Sequence, residues 1–424
     1  MPAGLDKGPS SPLSSGWYSH ASHVPQGHLK PLPFLPPSDF QSTSGWPGVS
    51  FHRVQSIYRR ALKGELLHFE DGVTLYHAPD VLEMGMVANH LTEQIHGKDV
   101  FFNVNRHINP TNICALSCKF CAFSRKPGEE GSYTYSEEQL AAKAKQAHSE
   151  GATEIHMVGG LHPRWNLSHY TKIISTVMEN APGVHIKAFT AVEIDWLARR
   201  ERKSPKEVLM ALQQAGLGSM PGGGAEIFDP RVRPLICDTK LTGDGWLEIH
   251  KTAHSMGLRS NATMLYGHME DVESRVYHLL KLRDLQAQTE GFNVFIPLSF
   301  QPENNDLGVE KHTYGVDDLK NIAISRLLLP NFRNIKSYWV MTGEKIAQMA
   351  LHYGANDLDG TVLEEKIANM AGSVSGMVKS KDTILALIRG AQKIPVERNT
   401  IYQPIRRYDE EAPSLNTNSS EVRP

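Results

Sequence analysis

Three cysteines, Cys114, Cys118 and Cys121, stand at the spacing C-x3-C-x2-C, with Phe120 immediately before the last of them. Thiolates so spaced on one loop can each take a corner of a cubane iron-sulfur cluster. No further cysteine lies nearby, so one iron is left without a protein thiolate and open to a ligand. The alternative is a zinc knuckle in which His107 or His162 completes a Cys3His set. Zinc sites usually come as C-x2-4-C pairs separated by a longer loop, a pattern this string lacks. Four cysteines in 424 residues, three of them in one loop, do not make an extracellular disulfide framework. They point to a metal site in a reducing compartment, and so to a cytoplasmic protein.

Other groups carry weaker signals. His250 and His254 are four apart on an expected helix, a spacing able to chelate a metal, but Lys251-Thr252-Ala253 between them offers no carboxylate. A solvated helix face is the better reading. Cys237 stands alone and is given no role. Gly222-Gly223-Gly224 reads as a tight turn that brings backbone close to a ligand.

The elements that would hold these residues alternate short β-branched runs with longer amphipathic stretches, the pattern of parallel strands joined by helices. Strands are expected at 100–108, 154–158, 185–189, 218–220, 259–265, 293–298 and 334–340, with an eighth at 355–358 followed by a helix over 361–371. No composition break divides them into halves, so a (βα)8 TIM-type barrel fits better than a doubly wound sheet. A disordered arm over 1–50 precedes a helical lead-in over 51–98. The barrel then covers 99–375, a helical segment 376–402, and a disordered tail 403–424. The cysteine loop and the polar clusters at 159–162, 190–193 and 222–226 all follow strands, which puts them on the carboxyl-end face where barrel active sites lie.

The formal net charge is −2 and basic residues are scattered, which gives no footprint for nucleic acid. No apolar run approaches the roughly twenty residues of a membrane span. The arm lacks the apolar stretch of a secretory signal.

The string Cys114-x3-Cys118-x-Phe120-Cys121 is the signature of the radical S-adenosylmethionine superfamily, which this sequence resembles over the whole barrel. Gly159-Gly160 stands where that superfamily has Gly-Gly-Glu, with Leu161 in place of the Glu. Asn105-Arg106-His107-Ile108-Asn109-Pro110-Thr111-Asn112, Gly159-Gly160-Leu161-His162-Pro163 and Ser219-Met220-Pro221-Gly222-Gly223-Gly224-Ala225-Glu226 are similar to its menaquinone and deazaflavin branch. Within that branch, the strings at 185–194, 295–300 and 357–362 most resemble the aminofutalosine synthase family. The match spans about 51–402 of the sequence.

The resemblance implies a [4Fe-4S] cluster on Cys114, Cys118 and Cys121, with S-adenosylmethionine consumed as a co-substrate and an external low-potential electron donor. It places Phe120 beside the adenine and the backbone of Gly159 and Gly160 at the amino group of the cofactor. The implied reaction adds the deoxyadenosyl group to 3-[(1-carboxyvinyl)oxy]benzoate in menaquinone synthesis. Sister readings within the branch are dehypoxanthine futalosine cyclase and an FO synthase subunit. From another class comes a non-catalytic iron-sulfur or zinc-binding protein.

Glu193 and Glu226, each just past a strand, are positioned to hold the ribose hydroxyls or the sulfonium side of the cofactor. A substrate with two carboxylates needs cationic or hydrogen-bonding partners. Arg231 and Arg233 are the candidates for binding it, and His162 and His268 the candidates for a catalytic hydrogen bond or proton.

Replacing Cys114, Cys118 or Cys121 by Ala is expected to abolish turnover, because each removes one of only three protein anchors of the cluster. Cys237→Ala is expected to stay active. Iron per chain and product formation after anaerobic reconstitution measure both.

Overall fold

The computed structural model describes residues 49–362, 364–373 and 378–409. The expected arm, up to residue 48, and the tail from 410 lie outside the described residues. Helices Phe51–Leu62, Phe69–His77 and Val81–His96 form the lead-in. Ser50 and Asp80 cap the first and third, accepting the N–H of Arg53 and Glu83. The third helix packs on helix Gly315–Leu328 of the barrel's outer layer. Its Gly85 faces Tyr353 so closely that a Cβ would lie 2.5 Å from the ring.

Among the described residues ten strands follow: β1 (Asp99–Asn103), β2 (Asn105–Ile108), β3 (Glu154–Met157), β4 (His185–Ala188), β5 (Ser219–Met220), β6 (Arg259–Tyr266), β7 (Phe292–Ser299), β8 (Asp357–Gly360), β9 (Ile394–Arg398) and β10 (Pro404–Arg407). Strands β2 to β7 make one curled parallel sheet in chain order, and a second sheet runs β10-β9-β1-β8. β1 and β2 are successive halves of one run, broken at Val104. β1 pairs with β8 and β2 with β3, so this run joins the two sheets at one seam. Single parallel bridges, Phe295 to Ile335 and Lys336 to Asp357, join them at the other. The result is a closed (βα) barrel with helices outside.

The seventh expected strand, 334–340, contributes only those bridges. Backbone at Tyr338 already accepts from Met341 and Thr342 to start helix Trp339–Ala350, and the Trp339 indole donates to the Gly360 carbonyl. The helix expected over 361–371 is reduced to Ile367–Met370. Before it, the Thr361 hydroxyl donates to the Asn105 carbonyl, and Val362 and Glu364 take positive φ of 49° and 63°, which no helix accommodates.

The segment 376–402, expected to be helical, holds helix Lys381–Gly390 and then turns into β9, which pairs in parallel with β1. The Asn399 side chain accepts from the N–H groups of Ile401 and Gln403, closing a turn into β10. Part of the expected tail is therefore a strand, because a side-chain-closed turn lets it pair with a β-branched neighbour.

Register decides what fills the lumen. Across β2, β3 and β4, His107, His156 and Lys187 are direct partners, as are Asn105, Glu154 and His185 one layer below. The intervening Ile155 and Ile186 point outward into the helix-packed core. The β2–β4 wall of the lumen thus carries charge where such barrels usually have branched apolar layers, and it faces an apolar side that includes Leu265, Ile296, Leu298 and Phe300. Lys187 pairs with Glu154 at 2.5 Å, Lys336 with Asp359, and Arg398 of β9 with Asp357 of β8 at 2.7 Å.

Burial alone would raise the Asp357 pKa, but Arg398 and Lys336 outweigh it and hold the carboxyl below the usual range. Stability from this pair is therefore present above the unfolded-state carboxylate pKa and lost as pH falls. Arg398→Met is expected to cost about 3–5 kcal/mol in urea unfolding by leaving a buried carboxylate short of its partner. Adding Asp357→Asn should recover part of that loss.

Candidate functional site

The chain leaves β2 at Ile108 and folds back on itself before the cysteines finish. Cys114 N–H donates to the Arg125 carbonyl and Arg125 N–H to that of Asn112, while the Asn112 side chain spans Gly131 and Tyr133. The Lys126 ammonium then ties the loop from one side, donating to the Cys114 and Leu116 carbonyls and the Ser117 hydroxyl at 3.2, 2.8 and 3.0 Å. From the barrel side, Ala115 N–H donates to the Leu161 carbonyl and Lys119 N–H to that of Ile236.

Cys114, Cys118 and Cys121 are free, half-buried, and line one cavity of about 320 Å³ that opens into the lumen. Burial pushes the Cys118 thiol up to about 11, against the pull of the Lys240 ammonium. The loop is held by its own hydrogen bonds, so three thiols are presented together at the cavity wall. That donor set suits an iron-sulfur cluster. Among the described residues no three His, Cys, Asp or Glu side chains converge on a single ion, the three thiols included; a cubane takes each thiolate on a different iron.

Gly160 N–H donates to the Thr111 carbonyl at 2.8 Å, and a Cβ there would lie 2.3 Å from the Ile113 carbonyl oxygen. Only a glycine permits this approach. Leu161, in place of a carboxylate, packs with Leu116, Val192, Cys114 and Cys118. Gly159 N–H donates to Glu193 at 3.3 Å, and Glu193 also caps helix Ala191–Glu201 through the N–H of Thr190. Burial pushes the Glu193 carboxyl up to about 7. Glu226, in a left-handed conformation (φ 45°), pairs with Lys240 at 2.6 Å. The same ammonium lies 4.9 Å from the centre of the Phe120 ring.

Phe120, Gly159, Gly160, Glu193 and Glu226 therefore line the same cavity as the cysteines. The expected substrate and catalytic residues do not. Arg231 is largely exposed, outside the cavity, and forks onto Asp229 and Asp271. Arg233 is buried, but its donors go to the carbonyls of Gly224, Ala225, Ile227 and Leu241, so it braces the glycine turn instead of binding a ligand.

His162 stacks on Trp165 away from the cavity, with Nδ1 accepting from Arg164 N–H. His268 lines a separate cleft. Its Nε2 donates to the Leu265 carbonyl and its Nδ1 accepts from Met269 N–H, which uses both nitrogens of a neutral ring. His250 and His254, expected on a solvated face, share the Ser260 hydroxyl instead, and His250 is fully buried against Trp246.

The cationic and imidazole groups that do line the cavity are His107, His156, Lys187, Lys240 and Lys336. Sequence reasoning passed over them as lumen residues because they sit inside expected strands or loops. A signal existed in the alternation of polar residues at 154 and 156 and at 185 and 187, which marks a polar face on two successive strands, whereas Arg106 between Asn105 and His107 hides it on β2.

Among known proteins, the radical SAM superfamily matches residues 108–282 and the CofH/MqnC C-terminal region matches 289–411. The chain is 43% identical over 366 residues to the aminodeoxyfutalosine synthase of Thermus thermophilus, covering 85% of this chain and 98% of that protein. It is 41% identical over 366 residues to that of Streptomyces coelicolor, covering 84% and 95%. In fold it is similar to methylornithine synthase (TM-score 0.64, 18% identity, 80% of this chain and 97% of that one).

Gly160→Ala is expected to push the 111–113 backbone off the barrel mouth, at a cost of about 1–3 kcal/mol in unfolding and with less iron retained per chain after reconstitution. Arg231→Ala should leave iron content and turnover at wild-type values.

Proposed function

We infer, for a chain that belongs to the aminodeoxyfutalosine synthase family of the radical S-adenosylmethionine superfamily, that it catalyses the family reaction in the futalosine route to menaquinone. It is a radical enzyme that transfers a deoxyadenosyl group. Its acceptor is 3-[(1-carboxyvinyl)oxy]benzoate. The 5′ carbon adds to the vinyl carbon, the aryl group migrates from oxygen to carbon, and the carboxylate leaves as CO2 while one electron is given back, so the electron spent on cleaving S-adenosylmethionine is recovered and 6-amino-6-deoxyfutalosine forms as a closed-shell product. The addition replaces a π bond by a σ bond and leaves a radical stabilised by an ether oxygen and a carboxylate.

The observation that supports this most directly is the set of free thiols facing the same cavity as a glycine pair and the lumen lysines and histidines. A [4Fe-4S] cluster on Cys114, Cys118 and Cys121 would supply, with a low-potential donor, the electron that cleaves S-adenosylmethionine. The chain's own part is binding and enclosure. Phe120 offers a face to the adenine, the backbone at Gly159 and Gly160 offers close approach to the amino group, and Glu193 and Glu226 offer acceptors to ribose hydroxyls. The lumen walls limit the access of water to a reactive primary radical. Unpaired cysteines suit a reducing compartment, which favours the cytoplasm.

S-adenosylmethionine labelled on the adenosyl 5′ carbon tests this reading. We expect the label in a product that also holds the benzoate ring, in amounts matching the benzoate consumed. Label confined to free 5′-deoxyadenosine, with the benzoate intact, would replace the reading with a hydrogen-abstracting sister enzyme. A sample that holds iron but never cleaves S-adenosylmethionine would reduce it to an electron carrier.

A further inference from the structure

Below the cysteine loop, the lumen presents groups that neither a cluster nor the glycine wall uses. His107, His156 and Lys187 are the next-to-last residues of β2, β3 and β4, paired in register, and all line the cavity. They form a belt one residue, about 3.3 Å of strand rise, below the carboxyl ends of those strands. The imidazoles of His107 and His156 lie 4.6 Å apart.

His156 Nε2 is buried with no hydrogen-bond partner. Burial, reinforced by Lys187 and His107, keeps that ring neutral. The Lys187 ammonium gives one N–H to Glu154, and an ammonium has three. An unmet buried polar atom is costly, and buried polar groups nearly always find partners. Beside a lysine with donors to spare, the missing partner is best supplied by an anionic acceptor.

Resting on the function inferred above, we propose that Lys187 and His156 together bind the ring carboxylate of the enolpyruvyl benzoate, with His156 donating from Nε2. The other carboxylate is a poor occupant. It is lost during the reaction, and an ion pair would stabilise the charged form it must leave. The ring carboxylate persists into the product, so a permanent anchor serves it throughout. Held at this depth, the ring leaves the vinyl group directed back toward the cysteines.

The test measures equilibrium binding to reconstituted, unreduced protein, in which no turnover occurs. The ligands are the enolpyruvyl benzoate and its analogue without the ring carboxylate, 2-phenoxyacrylate. The variants are His156→Phe, which removes the donor at similar volume, and the charge-neutral pair Lys187→Met with Glu154→Gln, which leaves no buried carboxylate behind. Each variant is expected to raise the Kd of the dicarboxylate about 10- to 100-fold, the range for a charge-assisted hydrogen bond. Wild-type protein should show a similar penalty for the analogue, and the variants should distinguish the two acids far less than wild type does. Iron content and melting temperature, measured alongside, report any purely structural effect.

Variants that favour the dicarboxylate as strongly as wild type, or a wild type that binds both acids equally, overturn the assignment while leaving the reaction intact. Failure of wild-type protein to incorporate the adenosyl label overturns the reading of function instead, and takes this assignment with it.

Discussion

The close apposition of two backbone segments governs the mouth of this barrel. Residues 111–115, entering the cysteine loop from β2, lie directly against 159–161, which leave β3, and are joined by the Gly160 to Thr111 and Ala115 to Leu161 hydrogen bonds. There is no room for a side chain at Gly160. Because β2 and β3 are neighbours in register, the contact is inherited from the sheet. The thiols, the glycine pair and the Glu193 cap all take their positions from it. A loop carrying three thiols can therefore be ordered by its backbone, with Lys126 and Arg125 securing its outer side.

Deeper in the barrel a second constraint applies. A lumen wall of lysine, histidine and carboxylate would be untenable unless each charge were met, since burial of an unpaired ion costs several kcal/mol. Lys187 meets Glu154, Lys336 meets Asp359, and Arg398 reaches in from the appended strand β9 to meet Asp357. These pairs keep the polar wall electrically balanced and place His107 and His156 among charges while burial holds both rings neutral. Such pairing adds less to stability than an apolar core would, and the barrel's tightness rests on the helix-packed layer around Ile155, Ile186, Trp246 and Trp339. The lumen is then available for recognition.

The site also shows how a residue's type misleads when its setting is unknown. Arg231 and Arg233 are chemically suited to carboxylates, yet one is spent on surface aspartates and the other on carbonyls of the turn that carries Glu226. His268 has both nitrogens engaged locally. The groups that do face the cavity include two lysines, at 187 and 336, that strand logic alone would have faced into an apolar barrel interior.

Local information was enough for the cysteine spacing, the order of strands and helices, and the loops that follow strands, because each depends on neighbours in the chain: a thiolate spacing, a period of two or 3.6, a glycine after a strand. From these the barrel and the strand-end loops of Glu193 and Glu226 could be anticipated, while Phe120, Gly159 and Gly160 were singled out by family resemblance; all five line the cavity. What required the folded molecule was contact between distant segments. The helix expected at 361–371 gives way because Thr361 is tied to Asn105 on the neighbouring strand run, and the C-terminal segment becomes strands because β1 has a free edge for β9. Which cations enter the lumen depends on how β2, β3 and β4 align. Register is a relation between strands far apart in the chain, so only the tertiary structure decided that His156 and Lys187, and not Arg231 and Arg233, would face the cavity.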